Sequence, residues 1–316
     1  MLRSKSKIIG ITLGDPAGIG PEVTAAALLK ARAMKGVEFV LIGNEASFRR
    51  YWPRKKDLPT FLHISGHGSL THAPGRPTAE SGHDSLLYLA KAVELLKSGR
   101  VHGLVTAPVS KESVSHFHKG FKGHTTFLAQ AFGLKNVEMV FVAGDMKLVL
   151  VTRHVAIREL PRLVTKEKVL GVLQATNDFL VDRFGIKRPR IAVLGLNPHA
   201  GEGGQMGDEE IKEIIPAMKK AAALGMDVLG PFPADTLFEP RNCRGYDLIA
   251  AMYHDQGLIA LKTLYFDRLV NLTVGLPFIR TSPAHGTAFG IAGQGLADPG
   301  SMKASIDLAV RLTVSI

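Results

Sequence analysis

Short apolar runs alternate with longer amphipathic segments along most of this chain. Five segments with a helical repeat predict helices, at Pro21 to Met34, Ala79 to Ser98, Lys166 to Arg183, Glu209 to Ala223 and Ser301 to Val314. Eight runs rich in Val, Ile and Leu predict buried strands, at Ile8 to Leu13, Phe39 to Ile42, Gly103 to Thr106, Glu138 to Val142, Leu148 to Thr152, Ile191 to Leu194, Leu248 to Ala251 and Val270 to Val274. This alternation is typical of a mostly parallel sheet covered by helices, so the predicted fold class is α/β.

The length of 316 residues suits one large core or two moderate ones. No internal repeat and no linker rich in Pro or Ser divides the chain. If there are two domains, we therefore expect the chain to pass between them more than once through ordered segments. The last helix is expected to return and pack against the N-terminal half.

Composition narrows the class of protein further. Hydrophobic residues make up 46% and charged residues 21%, as in globular proteins. The apolar run from Ile8 to Leu13 stops at Gly14, which is too short for a signal core or a membrane span. We therefore expect a cytoplasmic protein with no membrane partner. Because Cys243 is the only cysteine, any metal ion must be held by histidines and carboxylates.

The chain is basic, since 39 Lys and Arg against 28 Asp and Glu give a formal net charge of +11. Such a charge attracts nucleic acids, anionic membranes or small phosphorylated molecules. Nucleic-acid binders concentrate it in a stripe with interleaved aromatics, whereas here it is dispersed. The densest run, Arg49 to Lys56, is short and reads as a solvated helix end. We therefore expect no nucleic-acid partner.

Reactive side chains concentrate near the C-terminus. Tyr253 to Gly257, Lys262, Asn271 and Arg280 to Ala288 lie beside Gly and Pro in an otherwise apolar region. Loops at the ends of buried strands have this composition, and they carry active sites. Lys262, Asn271 and Arg280 supply two cations and an amide, a set suited to a phosphate and a carboxylate.

Three histidines, His154, His199 and His254, follow predicted strands. Ligands of α/β sheets collect at the carboxyl ends of the strands, so these imidazoles are candidate ligands of Zn²⁺ or a similar divalent ion. Each of them alone also suits an exposed loop histidine. His254 is followed by Asp255, a carboxylate able either to orient it or to bind the ion directly.

Two glycine-containing loops add further candidates. The segment from Gly14 to Glu22 follows a strand and opens a helix, which favours an anion, but its glycine spacing is not the Rossmann fingerprint. The loop from Lys119 to Thr126 supplies a histidine and hydroxyls. Nearby, Ser110 is expected to cap a helix, and His116 and His118 are expected at the surface.

Taken together, these motifs resemble the 4-hydroxythreonine-4-phosphate dehydrogenase family of pyridoxal phosphate synthesis, over nearly the whole chain. The motifs that carry the resemblance are Gly14 to Glu22, Gly123 to Thr125, Asn197 to Glu202, Ala234 to Phe238, Tyr253 to Gly257 and Leu276 to Ser282. The early Gly18 to Glu22 turn and the late His285 to Ala288 loop are also similar to isocitrate and isopropylmalate dehydrogenases.

The resemblance implies a fold, a partner and a set of cofactors. The fold would be two α/β/α domains with a cleft between them, of the isocitrate/isopropylmalate dehydrogenase type and not Rossmann. The first domain would comprise residues 1–125 and 280–316, and the second, residues 126–279, would carry most metal and substrate residues. The protein would be a homodimer that uses NAD or NADP and one divalent ion, Zn²⁺, Mg²⁺ or Co²⁺, held by both subunits.

The resemblance also assigns roles to individual residues. The metal ligands would be His154, His199 and His254, the substrate contacts His124, Thr125, Lys262, Asn271 and Arg280, and the cofactor loop His285, Gly286, Thr287 and Ala288. Lys262, Asp235 and Asp255 remain alternative catalytic bases. The sequence departs from the family at Thr126, where Glu is common, and at Gly290, where an acid is usual.

The implied reaction is the oxidation of 4-hydroxythreonine 4-phosphate, followed by decarboxylation to 3-amino-2-oxopropyl phosphate. Related enzymes of the same fold suggest 4-phosphothreonate, 4-phosphoerythronate or an aromatic cis-dihydrodiol as alternative substrates. A phosphotransacetylase-like acyltransferase is the alternative from another class, although it needs neither three histidines nor a dinucleotide loop.

Overall fold

A computed structural model describes residues 6–31, 36–66 and 72–314. The chain forms two compact units, one made of Met1–Val137 and Asp267–Ile316 and the other of Glu138–Phe266. Residues 126–137 and 267–279, which the sequence placed in the second domain, belong to the first unit. Asn271 therefore lies in the same unit as His124 and Arg280.

The eight predicted strands are all present, with ends that differ by at most a few residues. The strands are β1 Lys7–Thr12, β2 Val37–Gly43, β3 Thr60–His63, β4 Gly103–Thr106, β5 Glu138–Ala143, β6 Met146–Leu150, β7 Arg190–Leu194, β8 Asp227–Phe232, β9 Leu248–Ala251, β10 Val270–Val274 and β11 Ile279–Pro283. The strands that the sequence missed are β3, β8 and β11, which are short, polar or interrupted by Gly and Pro.

The five predicted helices are confirmed over the described residues, and residues 32–34 of the first prediction lie outside them. The helices are α1 Gly20–Lys30, α2 Glu45–Arg49, α3 Ala79–Lys97, α4 Lys111–Ser115, α5 His124–Ala131, α6 Leu160–Leu163, α7 Lys166–Phe184, α8 Ile215–Ala223, α9 Ala234–Leu237, α10 His254–Tyr265 and α11 Gly300–Val314. A π-helical turn at Glu210–Ile214 leads into α8. The Ser110 cap is confirmed, because the Ser110 hydroxyl accepts the Ser113 N–H at 3.1 Å.

The first unit orders its strands β3-β2-β1-β4-β11-β10, all parallel except the antiparallel pair β10 and β11. Fully buried apolar side chains such as Ile9, Leu41 and Leu104 form its core. As predicted, α11 packs against β1, β4 and α1 of the N-terminal half. This packing fixes β11, and with it Arg280, inside the sheet.

The second unit orders its strands β5-β6-β9-β7-β8, with an antiparallel pair β5 and β6 and parallel pairs elsewhere. Because β6, β9 and β7 are adjacent and parallel, the loops that follow them leave the sheet at one edge. In the described parts of both units, no helix is long and apolar enough to cross a membrane.

Candidate active site

Arg280 is a buried cation in the first unit. It lies on β11 with 2% of its surface exposed. Its Nη2 and Nε donate to the Thr106 hydroxyl at 2.6 and 3.2 Å, and its Nη1 donates to the Thr273 hydroxyl at 3.1 Å. Burial lowers the pKa of Arg280 to about 9, so the guanidinium remains charged at neutral pH. Among the described residues no ion pair involves it, which leaves a buried charge without an acidic counterpart.

Two further polar side-chain atoms of the first unit are buried and lack a hydrogen-bond partner among the described residues. The His124 Nε2 and the Asn271 Oδ1 have no hydrogen-bond partner among the described residues. Burial, and then the charges of Arg280 and Lys111, hold the pKa of His124 well below its ordinary value. The imidazole is therefore neutral at neutral pH, and one of its ring nitrogens can donate a hydrogen bond.

The start of α5 adds backbone donors beside these side chains. Gly123 precedes α5 with a φ of 114°, a conformation that favours glycine, and no side chain caps the helix. His124, Thr125 and Thr126 form the first turn. Free N–H groups and a helix dipole favour negative charge at such an end. Arg280, His124, Asn271 and this turn form what we call the anion cluster, which is suited to a phosphate or carboxylate.

The early glycine turn and the late loop contact each other in the first unit. The Ile19 N–H donates to the Thr287 carbonyl at 2.9 Å, and the Gly293 N–H donates to Glu22 Oε2 at 3.0 Å. A Cβ on Gly18 would come within 2.9 Å of the Thr287 oxygen, so only glycine fits there. The structure thus brings together the early turn and the late loop, the two segments that are similar to isocitrate and isopropylmalate dehydrogenases. Gly286 and Gly290 have open space around them.

The buried Asp15 holds the early turn from within. Its Oδ1 accepts the Ala17 N–H at 3.0 Å, and its own N–H donates to the Pro108 carbonyl at 2.9 Å. Burial raises the pKa of Asp15, although the Ala17 hydrogen bond opposes that rise. The turn is therefore anchored to the loop after β4.

The three candidate metal ligands follow β6, β7 and β9 in the second unit. The rings of His154 and His254 lie 5.5 Å apart between centroids. The Asp255 Oδ1 is 2.7 Å from the His254 Nδ1, an arrangement that orients a metal-binding imidazole and leaves its Nε2 free. Within the described residues, no three His, Cys, Asp or Glu side chains are arranged to hold one metal ion. The structure therefore pairs His154 with His254 but does not add His199 to them.

His199 lies in an unusual backbone segment. The short 3-10 turn Pro198–Gly204 winds left-handed, because all residues from His199 to Gly203 have φ between 42° and 80°. His199, Ala200 and Glu202 are not glycines, and each left-handed residue of this kind costs on the order of 1 kcal/mol. Such strain persists only where surrounding contacts enforce it, and it is concentrated at functional sites.

Two side chains outside the predicted site residues, Glu210 and Gln256, secure this edge of the sheet. The buried Glu210 accepts the backbone N–H groups of Leu196 and Asn197 at 2.7 and 2.8 Å. Gln256 donates to the Gly195 carbonyl at 2.6 Å and accepts the Met252 N–H at 2.7 Å. Gln256 thus ties the loop that carries His199 to the segment that precedes His254. The only sequence signal for Gln256 was its position in the Tyr253 to Gly257 motif, and Glu210 lies at the start of a predicted helix outside every motif.

The candidate bases differ in environment. Lys262 is half-buried on α10, whereas Asp235 on α9 is exposed. Asp255 is exposed and is engaged with His254. The expected surface positions of His116 and His118 are confirmed.

An α/β fold with imidazoles at the strand ends and a buried anion cluster is typical of enzymes that act on small charged molecules. The chain belongs to the family described as pyridoxal phosphate biosynthetic protein PdxA, whose sequence model matches residues 22–309. Its named relatives are dehydrogenases, so this protein is an oxidoreductase.

Three similar proteins illustrate the match. The 4-hydroxythreonine-4-phosphate dehydrogenase of Geobacter metallireducens is 41% identical over 334 residues, which cover 99% of this chain and 97% of the relative. The crystal structure of the Klebsiella pneumoniae enzyme of that name has a TM-score of 0.84 at 36% identity, covering 98% of this chain and 100% of the other. A terephthalate 1,2-cis-dihydrodiol dehydrogenase from Burkholderia xenovorans has a TM-score of 0.67 at 29% identity, covering 97% and 98%.

Proposed function

We propose that this protein oxidises 4-hydroxythreonine 4-phosphate with NAD⁺ or NADP⁺ in pyridoxal phosphate synthesis. The product, a β-keto acid, then loses CO₂ and gives 3-amino-2-oxopropyl phosphate. The observation that carries this proposal is the anion cluster, because a buried guanidinium without an acidic partner among the described residues favours an anionic ligand. The names of the relatives, at about 40% identity over the full length, support the choice of substrate.

In this proposal the anion cluster binds the negative end of the substrate. Arg280 provides the charge, and a neutral His124 and the first-turn N–H groups at Thr125 donate hydrogen bonds. The buried Asn271 Oδ1 accepts one from a hydroxyl or ammonium group. Lys262 contributes a second cation. Because Thr106 and Thr273 hold the guanidinium before substrate arrives, little reorganisation is needed on binding.

We further propose that His154 and His254 of one copy, with His199 of a second copy, hold a divalent ion, Zn²⁺, Mg²⁺ or Co²⁺, in a homodimer. The paired imidazoles and the Asp255 contact fit such an ion. When bound, the ion would lower the pKa of the substrate hydroxyl and stabilise negative charge on its oxygen. The lack of a three-ligand set among the described residues of one chain supports a second copy as the source of His199.

Proton transfer in this proposal falls to Lys262. The oxidation sends a hydride from the carbinol carbon to the nicotinamide, and the hydroxyl proton goes to a base. Loss of CO₂ then requires a proton at the carbon that carried the carboxylate. Asp255 is engaged in orienting His254, and Asp235 is exposed, whereas Lys262 is half-buried, and we therefore assign the proton transfers to Lys262.

The dinucleotide is proposed to bind at His285, Gly286, Thr287 and Ala288. Thr287 of this loop accepts the Ile19 N–H of the early turn, and Gly286 leaves room for close approach. The segment from Gly14 to Glu22 also opens α1, whose N-terminal N–H groups favour phosphate.

A substrate panel tests the proposal. The purified protein is mixed with NAD⁺ or NADP⁺, Co²⁺ or Zn²⁺, and one of 4-hydroxythreonine 4-phosphate, 4-phosphothreonate, 4-phosphoerythronate or a terephthalate cis-dihydrodiol. Absorbance of the reduced dinucleotide and release of CO₂ are followed together. We expect the highest kcat/KM, with both signals, for 4-hydroxythreonine 4-phosphate. A higher kcat/KM for any other compound would reassign the substrate, and no dinucleotide reduction with any of them would refute the dehydrogenase activity.

A further inference from the structure

Glu210 is a buried carboxylate outside the groups that the proposed reaction uses. It begins the π-helical turn Glu210–Ile214 and is 1% exposed. Its Oε1 accepts the N–H groups of Leu196 and Asn197, and its Oε2 accepts the Asn197 side-chain amide at 2.9 Å. Within the described parts of the chain, no ion pair neutralises it. Its partners among the described residues are N–H donors, so both carboxylate oxygens act as acceptors.

These contacts hold the entrance of the left-handed turn. Leu196 and Asn197 directly precede Pro198, and the Asn197 carbonyl accepts the Ala200 N–H at 3.1 Å. A Cβ added to Gly201 would lie 2.6 Å from the Glu210 Oε2, and one added to Gly195 would lie 3.0 Å from its Oε1. The carboxylate is thus enclosed by glycines on both sides of His199.

The strained turn needs such an anchor. His199, Ala200 and Glu202 adopt a left-handed backbone that residues with a Cβ rarely adopt. The π-helical start of the next segment brings the Glu210 side chain back toward the loop, and π turns of this kind recur at functional sites. Without the carboxylate, the two half-buried N–H groups would lose their acceptors and the loop would gain other backbone conformations.

We propose that Glu210 is a positioning residue for His199, which it holds ready for the metal through the left-handed turn. This inference rests on the proposed metal site. Residues that orient metal ligands typically change metal affinity by about 10- to 100-fold when they are removed.

The test measures Co²⁺ affinity and the visible spectrum of bound Co²⁺ in the full-length protein without substrate, and turnover in a separate assay with 4-hydroxythreonine 4-phosphate. The variants are His199→Ala, Glu210→Gln and Glu210→Leu. The control is Glu213→Gln, because Glu213 lies in the same π turn but accepts the Lys166 N–H outside the loop. Thermal unfolding of the metal-free variants reports whether each has folded.

We expect wild type and Glu213→Gln to bind Co²⁺ alike and His199→Ala to lose it. Glu210→Leu should bind about 10- to 100-fold more weakly, with turnover recovered at excess Co²⁺, a rescue that a general structural defect would not show. Glu210→Gln keeps one acceptor oxygen, so its Co²⁺ affinity should lie between those of wild type and Glu210→Leu. If Glu210→Leu does not fold, the Co²⁺ affinity of Glu210→Gln decides the test.

Wild-type Co²⁺ affinity and spectrum in a folded Glu210→Gln or Glu210→Leu protein would overturn the positioning role while leaving the metal site intact. Equal Co²⁺ binding by wild type and His199→Ala would instead refute the metal assignment of His199, and this inference with it. Co²⁺ binding by His199→Ala therefore distinguishes a failure of the metal assignment from a failure of the positioning role alone.

Discussion

The anion cluster of the first unit and the histidines of the second unit differ in how complete they are within one chain. Arg280 is buried and held by two threonine hydroxyls, and its neighbours His124 and Asn271 present buried, unsatisfied polar atoms. His154 and His199 are exposed, and the ring of His154 lies 5.5 Å from the ring of His254 between centroids. The anion cluster is formed before any substrate binds. The histidines, by contrast, do not form a group of three metal-binding side chains among the described residues of a single copy.

This difference indicates a division of labour. A buried cation has a high desolvation cost, which a substrate anion offsets, so the anion cluster can provide affinity and orientation. Exposed imidazoles carry no such cost and can exchange a metal ion, but they need other residues to fix their geometry. The first region should therefore govern substrate binding, and the second should govern turnover.

Substitution of Arg280 by Met should have the largest effect. Loss of a buried charged partner typically costs about 2–5 kcal/mol, so kcat/KM should fall by about 30-fold or more. The melting temperature without ligands should not fall, because the variant removes a buried charge that no acidic side chain among the described residues compensates. Steady-state kinetics and calorimetry measure both quantities.

A matched variant in the other region sharpens this prediction. Inorganic phosphate should raise the melting temperature of His254→Ala as it does that of wild type, and should not raise that of Arg280→Met. Phosphate stabilisation that survives in Arg280→Met would place the anion elsewhere.

Substitution of Asn271 by Ala should have an intermediate effect. Asn271 shares a face of β10 with Thr273, which holds Arg280. Loss of one hydrogen bond of about 1 kcal/mol predicts a KM several-fold higher with a nearly unchanged kcat. A fall in kcat at constant KM would move Asn271 from binding to catalysis and would weaken the division between the two regions.

The smallest predicted effect is on pH dependence. Because the pKa of His124 is depressed in the folded protein, the unfolded chain takes up a proton first as the pH falls. The stability contribution of His124 is thus fully present above a pH of about 6.5 and is lost as the pH falls below it. His124→Gln should therefore show a smaller drop in melting temperature than wild type between neutral and mildly acidic pH.

His116→Gln, at an exposed position, should behave like wild type, and identical drops in all three proteins would contradict burial of a neutral His124.

The sequence predicted the apolar strands well and missed β11 for a physical reason. The run Ile-Arg-Thr-Ser-Pro at 279–283 is polar, yet every residue of it is buried. Burial of Arg280 is tolerated because two threonine hydroxyls accept hydrogen bonds from its guanidinium. Thr106 lies on β4, far away in the sequence, and Thr273 lies on β10. Such pairings depend on the sheet order, which the apolar pattern does not contain.

The site was predicted unevenly for a similar reason. The resemblance assigned roles to His124, Asn271 and Arg280. The structure shows in addition that Arg280 donates to Thr106 and Thr273, which no motif identified. Glu210 reads in the sequence as one of several acids at the start of an amphipathic helix. Its role depends on five consecutive left-handed residues, from His199 to Gly203, and a Gly-rich stretch alone does not specify that conformation.

The proposal that a second copy completes the metal site is tested most directly by a heterodimer of two inactive variants. His199→Ala and His254→Ala chains carrying different tags are coexpressed, and the doubly tagged dimer is purified. If each site takes His254 from one copy and His199 from the other, one site is intact and the other lacks both ligands. By two-fold symmetry the heterodimer should then recover about half of the wild-type turnover. A heterodimer as inactive as either parent would show that all three histidines act within one chain.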